Sequence, residues 1–441
     1  MLKTIGKDDR AELKAYLQSR AYKISPDMLV KTSSIIEKVR SGKNQALHDL
    51  TLQFDRIDLD DPIASNEELE EQAAKADPQF VAAMQEAAQN ILAYHETQVQ
   101  TPQSLEKEDG VYLGWRVLPL DAVGIYVPGG RAQYPSSVLM NAIPAKVAGV
   151  RRIVMTTPPG KDGKISPNLA AAAKIAGVTE IIKAGGAQAV AALAYGTETI
   201  APVDKITGPG NMYVAAAKKL VFGKVDIDMI AGPSEILVVA DENANPDHVA
   251  SDLLSQAEHD PMASSILVTT SEPLIEAVNQ ALREQTDVLP KKEIIEQSLA
   301  SFGTAILTDT MDEAIEISNE IAPEHLELQV ENAIDYLPLV KNAGSVFLGY
   351  TTCESIGDYF GGTNHVLPTS GTARFSPALG VDAFTKKSSY MYYSDQALQK
   401  NGHKIIRMAQ EEDLEAHANA VRIRLHDASE NQDEIEREEG E

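Results

Sequence analysis

The sequence predicts an α/β protein with two parallel-sheet domains, one inserted in the other, and small additions at both ends. Three observations lead there. From Ala122 onward short β-branched runs alternate with alanine-rich stretches: VGIYVP then SSVLMNAIPAKVAGV, RRIVMTT then NLAAAAKIAG, EIIKAGG then AQAVAALAYG, DKITGPG then NMYVAAAKKLVFG. Repeated strand–helix units of this size imply a parallel sheet with right-handed crossovers. After Ile230 the theme resumes with a strand that reads as entering a different sheet, so the flanking material is expected to form a second α/β domain with block 122–232 as an insertion. Finally, 441 residues with 43% hydrophobic and 24% charged content fit a globular chain. That length allows two to four units at roughly 150 residues each.

The elements follow in order. Residues 5–23 read as an amphipathic helix with Leu13, Tyr16, Leu17 and Ala21 on one stripe. Asp27 to Phe54 carries two helical runs, MLVKTSSIIEKVR and NQALHDLTLQFD, and Asn66 to Tyr94 a longer helical region opened by SNEELEEQ. His48 and His95 read as surface or packing residues. Within the insertion, three loops at strand ends are glycine-rich: Pro128-Gly129-Gly130, Gly185-Gly186-Ala187-Gln188 and Gly208-Pro209-Gly210-Asn211. Such loops let a ligand approach the backbone, and the helix starts beyond them offer N–H donors. No G-x-G-x-x-G is present, so a nucleotide site and plain turn glycines both remain open.

Ile230–Asp241 reads as a strand of the second sheet, and Asn245-Pro246-Asp247-His248 as a helix start. Val249, Leu253 and Ala257 are its expected buried stripe; Gln256 and His259, spaced i,i+3, share a face near its end. Further strands are expected at Ser265–Thr270, Thr304–Thr308 and Gly344–Gly349, with helices around Leu274–Arg283 and Met311–Asn319. Ile356–Thr372 is a glycine-rich loop bearing Asp358 and His365, and loops carrying titratable residues are functional candidates. A compact segment from Phe375 to Leu425 contains Glu412 and His417, and Asp427–Glu441 is an acidic tail expected to be solvated.

Chemistry centres on Ile321-Ala322-Pro323-Glu324-His325-Leu326-Glu327-Leu328. Proline suits the first helical position, so a helix starting at Pro323 would put Glu324 and His325 near the positive end of its dipole and keep the imidazole neutral. A neutral imidazole there suits a general base. The competing reading makes Glu324 a helix-start acid and His325 a partly buried polar residue. Gln256, His259, Asp358 and His417 form an N₂O₂ set suited to Zn²⁺, if three distant segments converge. Otherwise these residues cap, turn and face solvent. Cys353, the only cysteine, excludes an intrachain disulfide and fits a reducing cytoplasm. Its thiol is a chemical rival to this acid–imidazole pair, against the plainer reading of a small buried hydrophobe. A net charge of −26 argues against nucleic acid or an anionic membrane as partner. No apolar run reaches membrane-span length, and the charged N-terminus is not expected to be a secretory signal.

Taken together, GIYVPGG (124–130), GGAQAVAALAYGT (185–197), GPGN (208–211), AGPSEILV (231–238), SQAEHD (255–260), APEHLEL (322–328), GDYFGGTNHVLPT (357–369) and AHANAV (416–421) resemble the histidinol dehydrogenase family in order through nearly the whole chain. The resemblance implies a cytoplasmic zinc enzyme that oxidises L-histidinol through L-histidinaldehyde to L-histidine with two NAD⁺. It implies Gln256, His259, Asp358 and His417 as zinc ligands and Glu324 and His325 as acid–base residues. Ser234, His365 and Glu412 would contact substrate together with His325 and the ligands, and Tyr126, Gln188 and Asn211 would line the NAD⁺ site. It further implies two incomplete Rossmann-like domains, 24–121 with 233–375 and the inserted 122–232, flanked by a helical extension 1–23, a dimerisation segment 376–426 and the tail 427–441. The homodimer would be intertwined, with His417 donated to the neighbouring site. The rival activities are oxidation of another polar alcohol such as a sulfonated diol, zinc hydrolysis without NAD⁺, and nucleotide binding without catalysis.

Overall fold

The structure, a computed structural model, describes residues 1–6, 9, 11–12, 15–16, 24–129 and 133–425. Most of the 5–23 stripe, Gly130 and the acidic tail lie outside the described residues. The first eight strands are β1 (Lys3–Ile5), β2 (Gln103–Lys107), β3 (Val111–Pro119), β4 (Ala122–Tyr126), β5 (Arg152–Thr157), β6 (Glu180–Lys183), β7 (Lys205–Thr207) and β8 (Asp226–Ile227). Then come β9 (Glu235–Ala240), β10 (Ser264–Thr269), β11 (Thr304–Leu307), β12 (His325–Gln329), β13 (Ser345–Leu348) and β14 (Thr385–Tyr392).

Two compact units emerge: Met1–Val99 with Leu120–Phe384, and Gln100–Pro119 with the chain from Thr385. The first holds the expected α/β architecture, with two parallel sheets of strand order β6-β5-β4-β7-β8 and β1-β11-β10-β9-β12-β13. Their strands are covered on both faces, which is why they read as continuous apolar runs. Along β5, Ile153 and Met155 face one core and Val154 the other. In the second sheet Ile236, Val238 and Leu267 pack on one side and Leu237, Val239 and Val268 on the other. Helix ends obey local chemistry: Ser166 accepts from Leu169 N, Pro167 opens the helix Pro167–Ala176, and Gly177 closes it in the left-handed region.

Several helical expectations need adjustment. The two runs after Asp27 form one element, Pro26–Asp55, kinked at Lys43 (φ 50°, ψ −130°) where the sequence divides them. The region from Asn66 breaks into Asn66–Ala73 and Pro78–Glu96, with Asp77 capping the second. Lys3–Ile5 is an edge strand paired with β11, not a helix start.

The second unit is an antiparallel sheet, β14-β3-β2, followed by the helix Asp395–Glu411 and a helix over 415–425. The sequence reading assigned no strand to 100–121. Met391, Tyr392 and Met408 of this unit are exposed, each at 60% or more.

Candidate active site

The helix expected at Pro323 is absent. The helix Met311–Ile321 ends with Ala322 as its left-handed cap (φ 51°), and His325 opens β12. Proline just beyond a cap is the ordinary stop signal, because its ring cannot continue the turn. The helix-start dipole expected to act on His325 is therefore not there. Its surroundings are set by neighbouring strands instead, with Ile236 of β9 and Ser345 of β13 opposite it in the register.

Backbone atoms of Glu235 fix both members of the pair. Glu235 N donates to Glu324 Oε2 at 2.8 Å, and His325 Nδ1 lies 3.0 Å from Glu235 O. A carbonyl only accepts, so Nδ1 carries a proton and Nε2 is the nitrogen free to exchange one. Nε2 sits 3.3 Å from Asp358 Oδ1, and the ring stacks on Phe347 at 6.0 Å between centroids. Both Glu324 and His325 are buried. Burial raises Glu324 to about 8 against the opposing charge of His325. At His325 burial opposes the charged form, yet Asp358 and then Glu324 outweigh it and push the imidazole up to about 10. The neutral imidazole expected from a helix start is thus not what the protein alone provides.

These groups face a cavity of about 360 Å³ lined also by Ser234, Gln256, His259, Asp358, His365 and the Pro209–Gly210–Asn211 loop. That size suits a small polar molecule. The helix Pro246–Ala257 opens with Asn245 as its cap and buries Val249, Leu253 and Ala257. It ends before His259, which lies in the following turn with its backbone N bonded to Gln256 O at 3.2 Å. Gln256 and His259 thus reach one cavity without sharing a helical face. Asp358 belongs to the short helix Glu354–Tyr359.

The donor set fits a borderline divalent cation. Desolvation by the surrounding cavity wall draws the solvent-accessible His259 and the half-buried His365 toward the neutral form. Asp358 is half-buried, and its desolvation raises it, but His325 and the other imidazoles hold its carboxyl below the ordinary value. Neutral imidazole and ionised carboxylate are the states that bind metal. His259 Nδ1 lies 3.4 Å from Ser234 Oγ, leaving Nε2 as the ring nitrogen for a ligand bond.

The glycine-rich loops lie at the carboxyl ends of β4, β6 and β7. Gly208 follows β7 with φ +105°, and a Cβ there would stand 2.2 Å from Tyr126 O, so glycine is required. Tyr126 is buried and its hydroxyl accepts from Gly186 N at 2.9 Å. Gln188 is buried nearby in the helix Gly186–Tyr195, and Asn211 caps the helix Met212–Val221 by accepting from Tyr213 N and Val214 N.

The remaining expected residues are placed as follows. His365 Nε2 is 3.0 Å from Ser137 Oγ and its Nδ1 2.9 Å from Asp358 O. Glu412 and His417 belong to the second unit, where both are exposed. Cys353 does not line the cavity, and burial pushes its thiol up, the reverse of activation. Sequence reasoning missed Tyr134, Ser136 and Ser137, which line the cavity at the start of the helix Pro135–Ala148. Adjacent serines opening an otherwise apolar helix were the available signal. It also missed Lys218 and Asp228, a buried ion pair clamping Gly208: Lys218 Nζ donates to Gly208 O at 2.9 Å and Gly208 N to Asp228 Oδ2 at 2.8 Å.

The family model for histidinol dehydrogenase matches residues 18–425. The histidinol dehydrogenase of Clostridium acetobutylicum is 53% identical over 409 residues, 93% of this chain and 95% of that one. The Bacillus subtilis enzyme is 50% identical over 423 residues, 96% of this chain and 98% of the relative. The crystal structure of histidinol dehydrogenase from Elizabethkingia anophelis superposes with a TM-score of 0.92 at 40% identity, covering 97% of this chain and 99% of that one. Matched by sequence and by fold over nearly its whole length, the chain belongs to the histidinol dehydrogenase family.

Proposed function

We propose that the protein is a zinc-dependent histidinol dehydrogenase, acting as a cytoplasmic homodimer and converting L-histidinol through L-histidinaldehyde to L-histidine with two NAD⁺. The observation that carries this reading is the buried Glu324–His325 pair on a cavity shared with Gln256, His259 and Asp358 and bordered by Pro209–Asn211. Gln256, His259 and Asp358 would hold Zn²⁺, with His417 of the partner subunit completing the set. When bound, the ion supplies a fixed positive charge that anchors the imidazole and amine of the substrate. Tyr126, Gln188 and Asn211 are the proposed contacts for NAD⁺, the acceptor of each hydride. The exposed apolar side chains of Met391, Tyr392 and Met408 support a subunit interface in the second unit.

The chain's own residues then divide the work. His325 Nε2 takes the hydroxyl proton of the bound alcohol during the first oxidation. Asp358 is the carboxylate that most raises His325, and a divalent cation held by Asp358 would weaken that pull and bring the imidazole down from its raised value. Ser234 and His365, with Glu412 of the partner subunit, hold the substrate so that the aldehyde stays in place. Glu324, kept protonatable near pH 8 by burial, draws a proton from the water that adds to the aldehyde. His325 serves again as base when the hydrate is oxidised.

The test is NADH formation with L-histidinol, before and after chelation. Two NADH per histidinol, abolished by the chelator and restored by Zn²⁺, is the expected result. Turnover of a sulfonated diol with none of histidinol would overturn the reading.

A further inference from the structure

Beneath the cavity lies a second cluster of ionisable groups that the mechanism does not use. Asp252, Glu327, Gln329 and Glu354 are all buried, Glu327 completely. Each carboxylate shares an element with a site residue. Asp252 is four residues before Gln256 in the helix Pro246–Ala257, and Glu354 four before Asp358 in the helix Glu354–Tyr359. Glu327 is two after His325 in β12, on the same face of the strand. One helical turn or one pleat therefore separates each of the three carboxylates from a member of the site.

Glu327 is the junction. Its Oε1 accepts from Glu354 N at 2.9 Å and its Oε2 from Gln329 Nε2 at 2.9 Å. The same Gln329 nitrogen donates to Asp252 Oδ2 at 2.7 Å. Strand β12 is thereby tied to both ligand-bearing helices. Stability alone does not account for the arrangement, because well-packed apolar side chains commonly equal or exceed buried charged groups. Two oxygens, Gln329 Oε1 and Glu354 Oε2, are buried without a hydrogen-bond partner, which costs stability further. Burial, and then the charge of Asp252, hold Glu327 well above its ordinary range.

We infer that Glu327 is a positioning residue: through Gln329 and the Glu354 amide it fixes Gln256 and Asp358 relative to His325 at the spacing one metal ion requires. The inference rests on the proposed metal-binding reading. A competing role exists, since one ligand atom each from Asp252, Cys353 and Glu354 lie within 4.8 Å of one another, a grouping that could itself take a cation.

The test uses the metal-loaded enzyme and Zn²⁺ competition against a chromophoric chelator. Glu327→Gln keeps the shape but sets an amide NH₂ against that of Gln329. The Zn²⁺ dissociation constant is expected to rise by about 10- to 100-fold, as for other groups that orient metal ligands. Both half-reactions should slow together while KM for NAD⁺ stays within about twofold. Val278→Ala, a fully buried truncation in the helix Glu272–Thr286, gauges plain destabilisation and is expected to lower Tm without changing the zinc constant. If Glu327→Gln behaves like Val278→Ala, the inference is overturned. Should Glu327→Gln not fold, Gln329→Met removes the link to Asp252 without altering a charge; weakened zinc binding supports the inference and unchanged binding overturns it. A parent enzyme with two zinc ions per chain, one lost in Glu327→Gln, would make the cluster a metal site and also overturn it. Failure of the parent to bind zinc at all is seen before any variant is made, and defeats the proposed function and this inference together.

Discussion

The two parallel sheets of the first unit offer opposite ends to the same cavity. The five-stranded sheet contributes the carboxyl ends of β4 and β7, through Pro128 and the Pro209–Asn211 loop. The six-stranded sheet contributes amino ends: Ser234 precedes β9, His325 opens β12, and Gln256 returns on the helix after β9. The first end is built mostly from backbone, glycine and helix-start N–H groups, which suits holding an anionic cofactor despite a net charge of −26. The second is built from ionisable side chains whose protonation is set by burial and by one another. Carboxyl-end loops are the usual ligand sites of open α/β sheets, and here that rule finds only half of the site.

The largest effects should fall on the side-chain end. His325→Asn is expected to slow both oxidations by roughly 10²–10⁴-fold, the usual worth of a general base. Glu324→Gln should slow aldehyde oxidation by a similar factor while alcohol oxidation changes much less. Single-turnover kinetics started from histidinol and from histidinaldehyde would separate the two, and equal loss in both would remove the division of labour between these neighbours.

The contrast between sheets also explains what was legible. Strand–helix alternation and glycine loops are local patterns, so the parallel architecture and the three loops could be read directly. Asn245-Pro246 declared its helix because cap and proline act within one turn. Pro323 carried two meanings, start of one helix or stop of another, and only the strands beside His325 decide between them. Lys218 with Asp228 and Glu327 with Asp252 are partners 10 and 75 residues apart. No period links such pairs, and the packing of β12 against β9 and its helix creates the second. The place of β14 in the antiparallel sheet of the second unit was hidden for the same reason, since it pairs with β3 across more than two hundred and fifty residues, whereas the β2–β3 hairpin is a local pairing that the sequence reading passed over.

The backbone-built end should respond in cofactor handling. Lys218→Met leaves Asp228 buried without its cation and is expected to cost about 3–5 kcal/mol of stability, as in other broken buried pairs. Thermal unfolding measures this, and a change below about 1 kcal/mol would show that the clamp on Gly208 is dispensable. Gly208→Ala is a milder change at the same place. It forces a Cβ toward Tyr126 O and should cost about 1–3 kcal/mol of backbone strain. Its kinetic signature should be a raised KM for NAD⁺ with KM for histidinol nearly unchanged. A parallel rise in both would mean that the two ends of the cavity are not functionally separate.

Cys353 should show the smallest effect, and its silence matters to the comparison. An aldehyde oxidation through a thiohemiacetal needs a thiolate at the reacting carbon. The Cys353 thiol does not line the cavity, and burial together with the carboxylates of Asp252 and Glu354 pushes it up against the opposing pull of the Ile356 N–H. Each condition lowers the thiolate fraction or removes it from the substrate. Cys353→Ala should therefore retain both half-reactions within about twofold, a free-energy change near 0.4 kcal/mol. A selective loss of aldehyde oxidation in that variant would transfer the second step from Glu324 and water to sulfur, and the amino-end site would have to be redrawn around it.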